Sequence, residues 1–507
     1  MGWKGIFLAT FFCLSVTSVN ALGVCEGLIL NLKNRRDLQP RTLELKSGER
    51  VLFHNRRLFT LFARGLSAKA VDAAEKLLTR QGALQIKISD EGYVVAADSR
   101  GTYSEAIWAR DSARVASGLE GAERAKVVGK LLEVMANPLN RELYFLNIRN
   151  PNVHQMHDDE LQAYLPRHWS PLFEGLPVTT TMFVPHIRFL LAQFKDPQVK
   201  PERWNMKQND ALALVLIEGL RALEDGVLRW EELSAEQKSY FSLTVAYGIR
   251  THFWETWDSG AWEEANARRT SSVGLFTEAL IRLQRSPYLE KIVTSITADH
   301  KFPPDIREKL ESAFQTANIQ SAIDSGMRIV RLQIERGEAP DRFDGGAPQS
   351  QRFSDAALAH LMWYRPAWLT EADYLRVIDH LEKLTRASGI IRYEGDVYLT
   401  LGQSLPSDDP IPAEILKDGE KSGPIKAADL QAAFWRKDEA YVASLFGQRY
   451  ETQWVLADMM LVQILPFLME TFPDSAHQAR YETLLQESAL RMFGFVTGGV
   501  GDAGPYA

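Results

Sequence analysis

Apolar residues recur at intervals of three and four along most of the chain after residue 60, and this spacing constrains the fold more than any other feature. It is clearest in four segments, residues 70–78, 112–135, 211–223 and 454–468. Such spacing places the apolar side chains on one face of an α-helix, which must be buried against a neighbour. Thr370 and Asp373 form a capping pattern before a further apolar stripe. We therefore predict a mostly helical body.

Signals for strands are few and lie near the N-terminus. Residues 28–53 have an extended pattern, and the polar stretch 89–92 separates two short apolar stretches, as in a β-hairpin. Residues 401–428 are rich in Pro, Gly, Ser and Asp, which predicts a long surface loop. No other linker divides the chain. We expect an extended segment over 22–60 and one large helical domain over 61–507.

Residues 1–21 have the features of a secretory signal peptide. An apolar run follows Lys4, and the small residue Ala21 offers a cleavage site. The run is too short for a membrane span, and no later stretch reaches roughly 18 consecutive apolar residues. We expect a secreted or periplasmic protein. Cleavage would leave Cys25 as the one remaining thiol, so an intramolecular disulfide is excluded; lipid attachment there is disfavoured by the bulky Val24.

Composition narrows the possible partners. The chain has 507 residues and a net charge of −7, which gives no basic footprint for nucleic acid. Histidines and carboxylates alternate in 154–160 at a spacing that metal ligands also use, but we favour a polar loop. The glycines of 499–504 match a dinucleotide pattern, yet the chain ends there with no helix to follow. We predict no metal and no cofactor.

The segment 258–264, Asp-Ser-Gly-Ala-Trp-Glu-Glu, is the most suggestive of chemistry. An indole such as Trp262 supplies a low-polarity wall that raises the pKa of an adjacent carboxyl, and paired carboxylates act in the same direction. A glycosidase needs a carboxylic acid that stays protonated near neutral pH. Taken alone, Glu263 and Glu264 fit a solvated acidic turn better than a catalytic site, so only partners elsewhere can support the catalytic interpretation.

Three other segments are candidates for binding. Trp108, Arg110 and Asp111 stand at a predicted helix start, where they fit a sugar site or a structural ion pair. Residues 204–210 run from Trp204 to Asp210, and their Gln-Asn-Asp fits a helix cap. Residues 392–398 place Arg392 in a glycine-containing loop, and loops on a rigid scaffold often carry function.

In this order, the four segments resemble those of glycoside hydrolase family 15, the glucoamylases, and the related domain of the phosphorylase kinase α subunit. The resemblance covers about residues 60 to 500. It implies an all-α fold, an (α/α)6 barrel with a small N-terminal β-containing segment and a sugar pocket at one end. It also implies that the substrate is bound by the following residues: Trp108, Arg110, Asp111, Trp204, Asp210, Trp262, Glu264 and Arg392.

The resemblance further implies an inverting mechanism with Glu263 as the general acid. Such a mechanism needs a second carboxylate about 6.5–9.5 Å away to activate water. Two candidates for this base stay open: Glu451, in Glu-Thr-Gln-Trp, and Glu439, in Glu-Ala-Tyr. We slightly favour Glu451. The family's usual Ala-Glu-Gln form of the base motif is absent.

The expected activity is release of glucose from the non-reducing ends of α-1,4-linked glucans or malto-oligosaccharides by an exported hydrolase. One alternative is a glucan-binding or regulatory module without turnover, like the kinase-associated relatives. Another is a hydrolase for a different α-glucosidic linkage, such as that of trehalose or dextran.

Overall fold

The structure is a computed structural model of the 507-residue chain. It describes residues 41–45, 47–53, 55–80, 88–94, 106–195, 199–263, 266–341, 352–387, 389–394 and 453–495. Several sequence predictions lie outside these residues, namely the signal peptide over 1–21, Cys25, the loop over 401–428 and the glycines of 499–504.

The secondary structure is dominated by helices. The strands are short, and they are β1 (Arg41–Glu44), β2 (Arg50–Phe53), β3 (Ala106–Trp108), β4 (Arg188–Leu190), β5 (Thr385–Arg386), β6 (Gly389–Ile391) and β7 (Gln453–Trp454). The helices are α1 (Arg56–Phe62), α2 (Ala68–Arg80), α3 (Ala109–Gly118), α4 (Gly121–Met135), α5 (Pro138–Arg149), α6 (Asp158–Tyr164), α7 (Leu191–Lys195), α8 (Asn209–Glu224), α9 (Ala235–Arg250), α10 (Thr270–Arg285), α11 (Leu289–Ala298), α12 (Pro304–Ala313), α13 (Thr316–Gln333), α14 (Leu358–Trp363), α15 (Glu371–Lys383), α16 (Leu456–Thr471) and α17 (Gln478–Phe495). This confirms the all-α class with a small β-containing segment near the N-terminus. Within the described ranges, none of the helices has both the length and the apolar character that a membrane crossing needs.

The chain divides into two compact units, Lys87–Gln333 and the combination of Met1–Ile86 with Ile334–Ala507. In the first unit the helices pack in two layers. Helix α8 lies between α3 and α10, and α10 lies between α8 and α13. In the second layer α9 contacts α4, α5, α11 and α12. The chain passes repeatedly from one layer to the other, which is the arrangement that the (α/α)6 prediction requires.

Burial of α8 explains why it lies at the centre of this unit. All of its residues except Arg221 and Glu224 are buried. A helix that is buried around its whole circumference must have neighbours on every side. The predicted segment 112–135 contains two helices, α3 and α4, because Leu119 and Glu120 have extended backbone torsions between them.

The other unit begins with the antiparallel hairpin of β1 and β2, which pairs Arg41 with Phe53. Its core includes Phe62 and Phe493, whose rings stack with centroids 4.5 Å apart. Strands β5, β6 and β7 form a three-stranded sheet. The helix predicted from Thr370 is α15, and its capping is reciprocal, because Thr370 and Asp373 each accept a hydrogen bond from the other's backbone N–H.

The structure describes the turn of the predicted hairpin around 89–92 and one bridge beside it. Ile88 and Val94 form an antiparallel bridge. Gly92 closes the turn with a φ of 92° and donates to the Ser89 carbonyl over 3.0 Å. Glycine is favoured here because other residues rarely adopt a positive φ.

We predict opposite effects on stability for two helical glycines. A Cβ at Gly248 in α9 would lie 2.2 Å from Cζ of Phe276, so Gly248→Ala should lower the free energy of unfolding by about 1–3 kcal/mol. A Cβ at Gly129 in α4 would meet Nε2 of Gln237 at 3.6 Å, an ordinary contact. Gly129→Ala should therefore be neutral or stabilise by up to about 1 kcal/mol. Urea denaturation measures both, and equal stability of the two variants would contradict the packing described here.

Candidate active site

Three segments that are distant in sequence meet at the guanidinium of Arg110. Its Nη2 donates to Oε1 of Glu263 over 3.0 Å, and its Nη1 donates to Oε1 of Gln208 over 2.6 Å. The same Nη1 lies 3.5 Å from Oδ2 of Asp210. One buried cation thus connects α3, the start of α8 and the loop that carries Glu263.

The position of Arg110 follows from the short strand before it. Strand β3 pairs with β4, and helix α3 begins directly after Trp108. Trp108 and Arg110 are buried, whereas the side chain of Asp111 is 41% exposed. Asp111 lies 4.0 Å from Arg110 and 3.5 Å from Arg114. Of the three residues predicted at this helix start, Asp111 is therefore the one open to solvent.

The loop before α8 supplies the second contact to Glu263. Trp204 donates its indole N–H to Oε2 of Glu263 over 3.1 Å. The predicted helix cap takes a different form, because Gln208 stands at the cap position without a capping hydrogen bond. Its side-chain oxygen accepts from Arg110 instead, and its amide donates to the carbonyl of Asn205 over 3.0 Å.

The loop that carries Glu263 is closed at its base. Asp258 and Ala267 exchange two backbone hydrogen bonds of 2.9 and 2.8 Å. Ser259 donates from its backbone N–H and its hydroxyl to the carbonyl of Lys207, over 2.8 and 3.0 Å. Gly260 has a φ of 60°, and a Cβ there would lie 3.1 Å from Cγ of Arg269. The sequence Asp-Ser-Gly thus forms a tight entry to the loop.

Glu263 itself has a left-handed backbone, with φ 59° and ψ 33°. For a residue with a side chain this conformation costs about 1–3 kcal/mol, and such strained residues tend to cluster at functional sites. The side chain is 15% exposed, and each of its carboxyl oxygens accepts a hydrogen bond. The carboxyl group is therefore held in one place and still reaches solvent.

Burial raises the pKa of the Glu263 carboxyl above its ordinary value. The positive charge of Arg110 acts against this rise, and the negative charge of Asp111 adds to it. Glu263 therefore keeps its proton to a higher pH than an exposed glutamate would. At Arg110 burial opposes the charge, but the carboxylates of Asp210 and Glu263 raise the pKa of the guanidinium.

Another buried carboxyl, that of Asp258, lies at the base of the loop that carries Glu263. Asp258 accepts a 2.8 Å hydrogen bond from the backbone N–H of Asn209, so it caps α8 from 49 positions away. Burial, and then the charge of Asp210, raise the pKa of Asp258 to about 7. Lys207 is buried nearby and donates to the carbonyl of His154 over 2.6 Å; burial lowers the pKa of Lys207 to about 8.

From sequence, Gln208 is predicted only as part of a helix cap, and Lys207 and Asp258 have no predicted role, although all three stand within the motifs described above. Their polar side chains lie close in sequence to Trp204 and Trp262, and this pattern could have indicated a functional role.

The remaining predicted residues fall in different parts of the chain. Trp262 is partly buried and ends a single 3₁₀ turn, Gly260–Trp262, directly before Glu263. Arg392 follows β6 in the other compact unit, where it is buried. Three carboxylates lie outside the described residues, namely Glu264, Glu439 and Glu451. Their roles stay predictions.

Among known proteins, this chain is similar to several whose structures have been solved. The chain matches no protein-family model and no curated protein. It resembles a wild-type glycosidase with 15% identity and a TM-score of 0.43, over 85% of this chain and 98% of that chain. A glycosidase variant in complex with glucose has 14% identity and a TM-score of 0.44, with the same coverage. A glucoamylase from Saccharomycopsis fibuligera has 14% identity and a TM-score of 0.43, over 83% of this chain and 86% of that chain.

We predict that Asp258 makes stability depend on pH. Its pKa is about 7 in the folded protein against an ordinary value of 3.8, so the folded state binds more protons between these values. The free energy of unfolding should therefore fall as pH rises from about 4 to about 7. Asp258→Asn keeps an acceptor for the Asn209 N–H and should reduce this fall. Denaturation at pH 5 and pH 8 measures it, and an equal fall in both proteins would contradict the assignment.

Proposed function

We propose that the protein is a glycoside hydrolase in which Glu263 is the general acid. The observation that carries the proposal is the environment of this carboxyl, which is largely buried, raised in pKa and fixed by Arg110 and Trp204. A general acid must hold a proton near the working pH and must stay within reach of the leaving oxygen. Each carboxyl oxygen has two lone pairs, so the two hydrogen bonds leave room for the proton that is transferred.

The groups around Glu263 suit a sugar. Asp111 is half exposed beside Arg110 and can accept hydrogen bonds from hydroxyl groups. Trp204 and Trp262 are partly exposed, and indole faces are suited to the apolar side of a pyranose ring. Trp108 and Asp210 are buried beneath and support Arg110 and Trp204.

The finer proposal concerns substrate and mechanism. The protein is proposed to release glucose from the non-reducing ends of α-1,4-linked glucans or malto-oligosaccharides. The reaction would proceed with inversion, and Glu451 or Glu439 would be the base. Glu264 and Arg392 complete the proposed substrate-binding set, and the mature protein is proposed to be exported. Support for these points comes from the resemblance of the four sequence motifs to the glucoamylase family.

A second candidate function is glucan binding without turnover, and one observation favours it. Arg110 pairs directly with Glu263 over 3.0 Å, and an ion pair favours the charged form of a carboxyl. A glutamate that stays ionised can hold a sugar hydroxyl but has no proton to donate. The two functions therefore differ in whether Glu263 carries a proton when substrate is bound.

We predict that Glu263→Gln lowers the kcat for release of glucose from maltotriose by about 10²–10⁴-fold, because the amide cannot donate the catalytic proton. Glucose release is measured over time, and binding of maltotriose is measured by calorimetry in the same preparations. The matched control is Glu255→Gln, since Glu255 is exposed in the same unit and should be replaceable without loss.

Each candidate function predicts a different result. A wild-type protein that binds maltotriose but releases glucose no faster than Glu263→Gln would contradict the hydrolase and support the binding module.

A further inference from the structure

Arg188 is buried between the two tryptophans of the candidate site. Its guanidinium carbon lies 5.0 Å from the ring centre of Trp108 and 4.5 Å from that of Trp204. The two indoles meet edge to face, with centroids 6.2 Å apart and planes at 78°. The side chain of Arg188 is only 1% exposed.

The backbone places Arg188 there. Strands β3 and β4 pair so that Trp108 stands directly opposite Arg188. The next backbone contact, from the Ala109 N–H to the Ile187 carbonyl, is 2.8 Å long and ties the start of α3 to the same strand. Cross-strand neighbours project from the same face of a sheet, so this register brings the cation onto the indole.

Arg188 forms an ion pair with one half-exposed carboxylate. Its Nη2 donates to Glu202 over 2.9 Å, and the Glu202 side chain is 55% exposed. Its Nε is buried and has no acceptor within the part of the chain that the structure describes. A buried cation is costly unless it is paired, and an aromatic face is a favourable neighbour for it. The indoles of Trp108 and Trp204 are therefore its main surroundings.

We propose that Arg188 is a positioning residue for the general acid, because it holds the indole of Trp204 so that its N–H points at the Glu263 carboxyl. The proposal rests on the function proposed above. The contact from Trp204 to Oε2 of Glu263 is 3.1 Å, and the other oxygen is held by Arg110. Arg188 therefore acts on one of the hydrogen bonds that orient the carboxyl.

Loss of Arg188 has a defined electrostatic consequence. A cation on the face of an indole draws electron density from the ring and strengthens its N–H as a donor. Without it, the hydrogen bond that stabilises the Glu263 carboxylate weakens, so the pKa of Glu263 rises further. The largest effects of charged groups on the pKa of this carboxyl come from Arg110 and Asp111, both on α3, and the substitutions below leave these two residues in place.

The test measures the pKa of Glu263 directly, by 13C NMR of protein labelled at glutamate carboxyls. The spectrum of Glu263→Gln identifies the resonance. The variants are Arg188→Met, which removes the charge, Arg188→Lys, which keeps it, Trp204→Phe, which removes the indole N–H, and the double variant Arg188→Met with Trp204→Phe. Thermal unfolding establishes that each variant is folded.

Arg188→Met should raise the pKa of Glu263 by up to about 1, because complete loss of one hydrogen bond to a charged group has about this effect and the substitution weakens that bond. Trp204→Phe should give a similar rise, and the double variant should add little to it. Arg188→Lys should give a smaller rise, because lysine keeps the charge but not the planar guanidinium. If Arg188→Met does not fold, the same comparison is made with Arg188→Lys, once in protein that has Trp204 and once in protein with Trp204→Phe.

In kinetics, the alkaline limb of the pH profile for kcat should move to higher pH in Arg188→Met, while KM changes less than kcat. An unchanged pKa of Glu263 in Arg188→Met would overturn the proposal, and so would an equal rise with and without the Trp204 indole. The NMR result does not depend on turnover. An inactive protein whose Glu263 responds as described would contradict the hydrolase alone, and an active protein whose Glu263 does not respond would overturn the role of Arg188 alone.

Discussion

The candidate site depends on one buried cation, Arg110. It is 5% exposed and lies within 3.5 Å of the carboxylates of Asp210 and Glu263. Removing a charge from water is costly unless its partners are close and hydrogen-bonded, so Arg110 requires the loop with Glu263 and the start of α8 to stay where they are. The position of the proposed acid is thus a consequence of how Arg110 is satisfied.

The surrounding structure maintains this arrangement from three sides. The pairing of β3 with β4 places Trp108 and Arg110 at the start of α3, and Arg188 beside the indoles. Asp258 closes the loop that carries Glu263 and also caps α8. The same few residues therefore determine the backbone of the site and its charge balance. Burial is the largest cause of the raised pKa values of Asp258 and Glu263.

Sequence periodicity was enough to predict helices such as α2, α8 and α15, because these follow local spacing and capping rules. Three of the motifs contain residues that the structure brings together around Arg110, and the functional role of these residues stays a prediction. What the motifs could not predict were contacts set by tertiary structure, such as the cap that Asp258 provides from 49 positions away. The left-handed backbone of Glu263 and the place of Arg188 between two indoles are of the same kind. No local pattern encodes them, since each depends on where separate segments meet.

The most direct test of Glu263 as a proton donor compares two substrates in Glu263→Gln. Maltotriose has a leaving group that must be protonated, whereas α-glucosyl fluoride releases fluoride without protonation. If Glu263 is the general acid, the variant should lose about 10²–10⁴-fold in kcat on maltotriose and stay within about tenfold of the wild type on the fluoride. An equal loss on both substrates would contradict the assignment, because Glu263 would then act on something other than the leaving group.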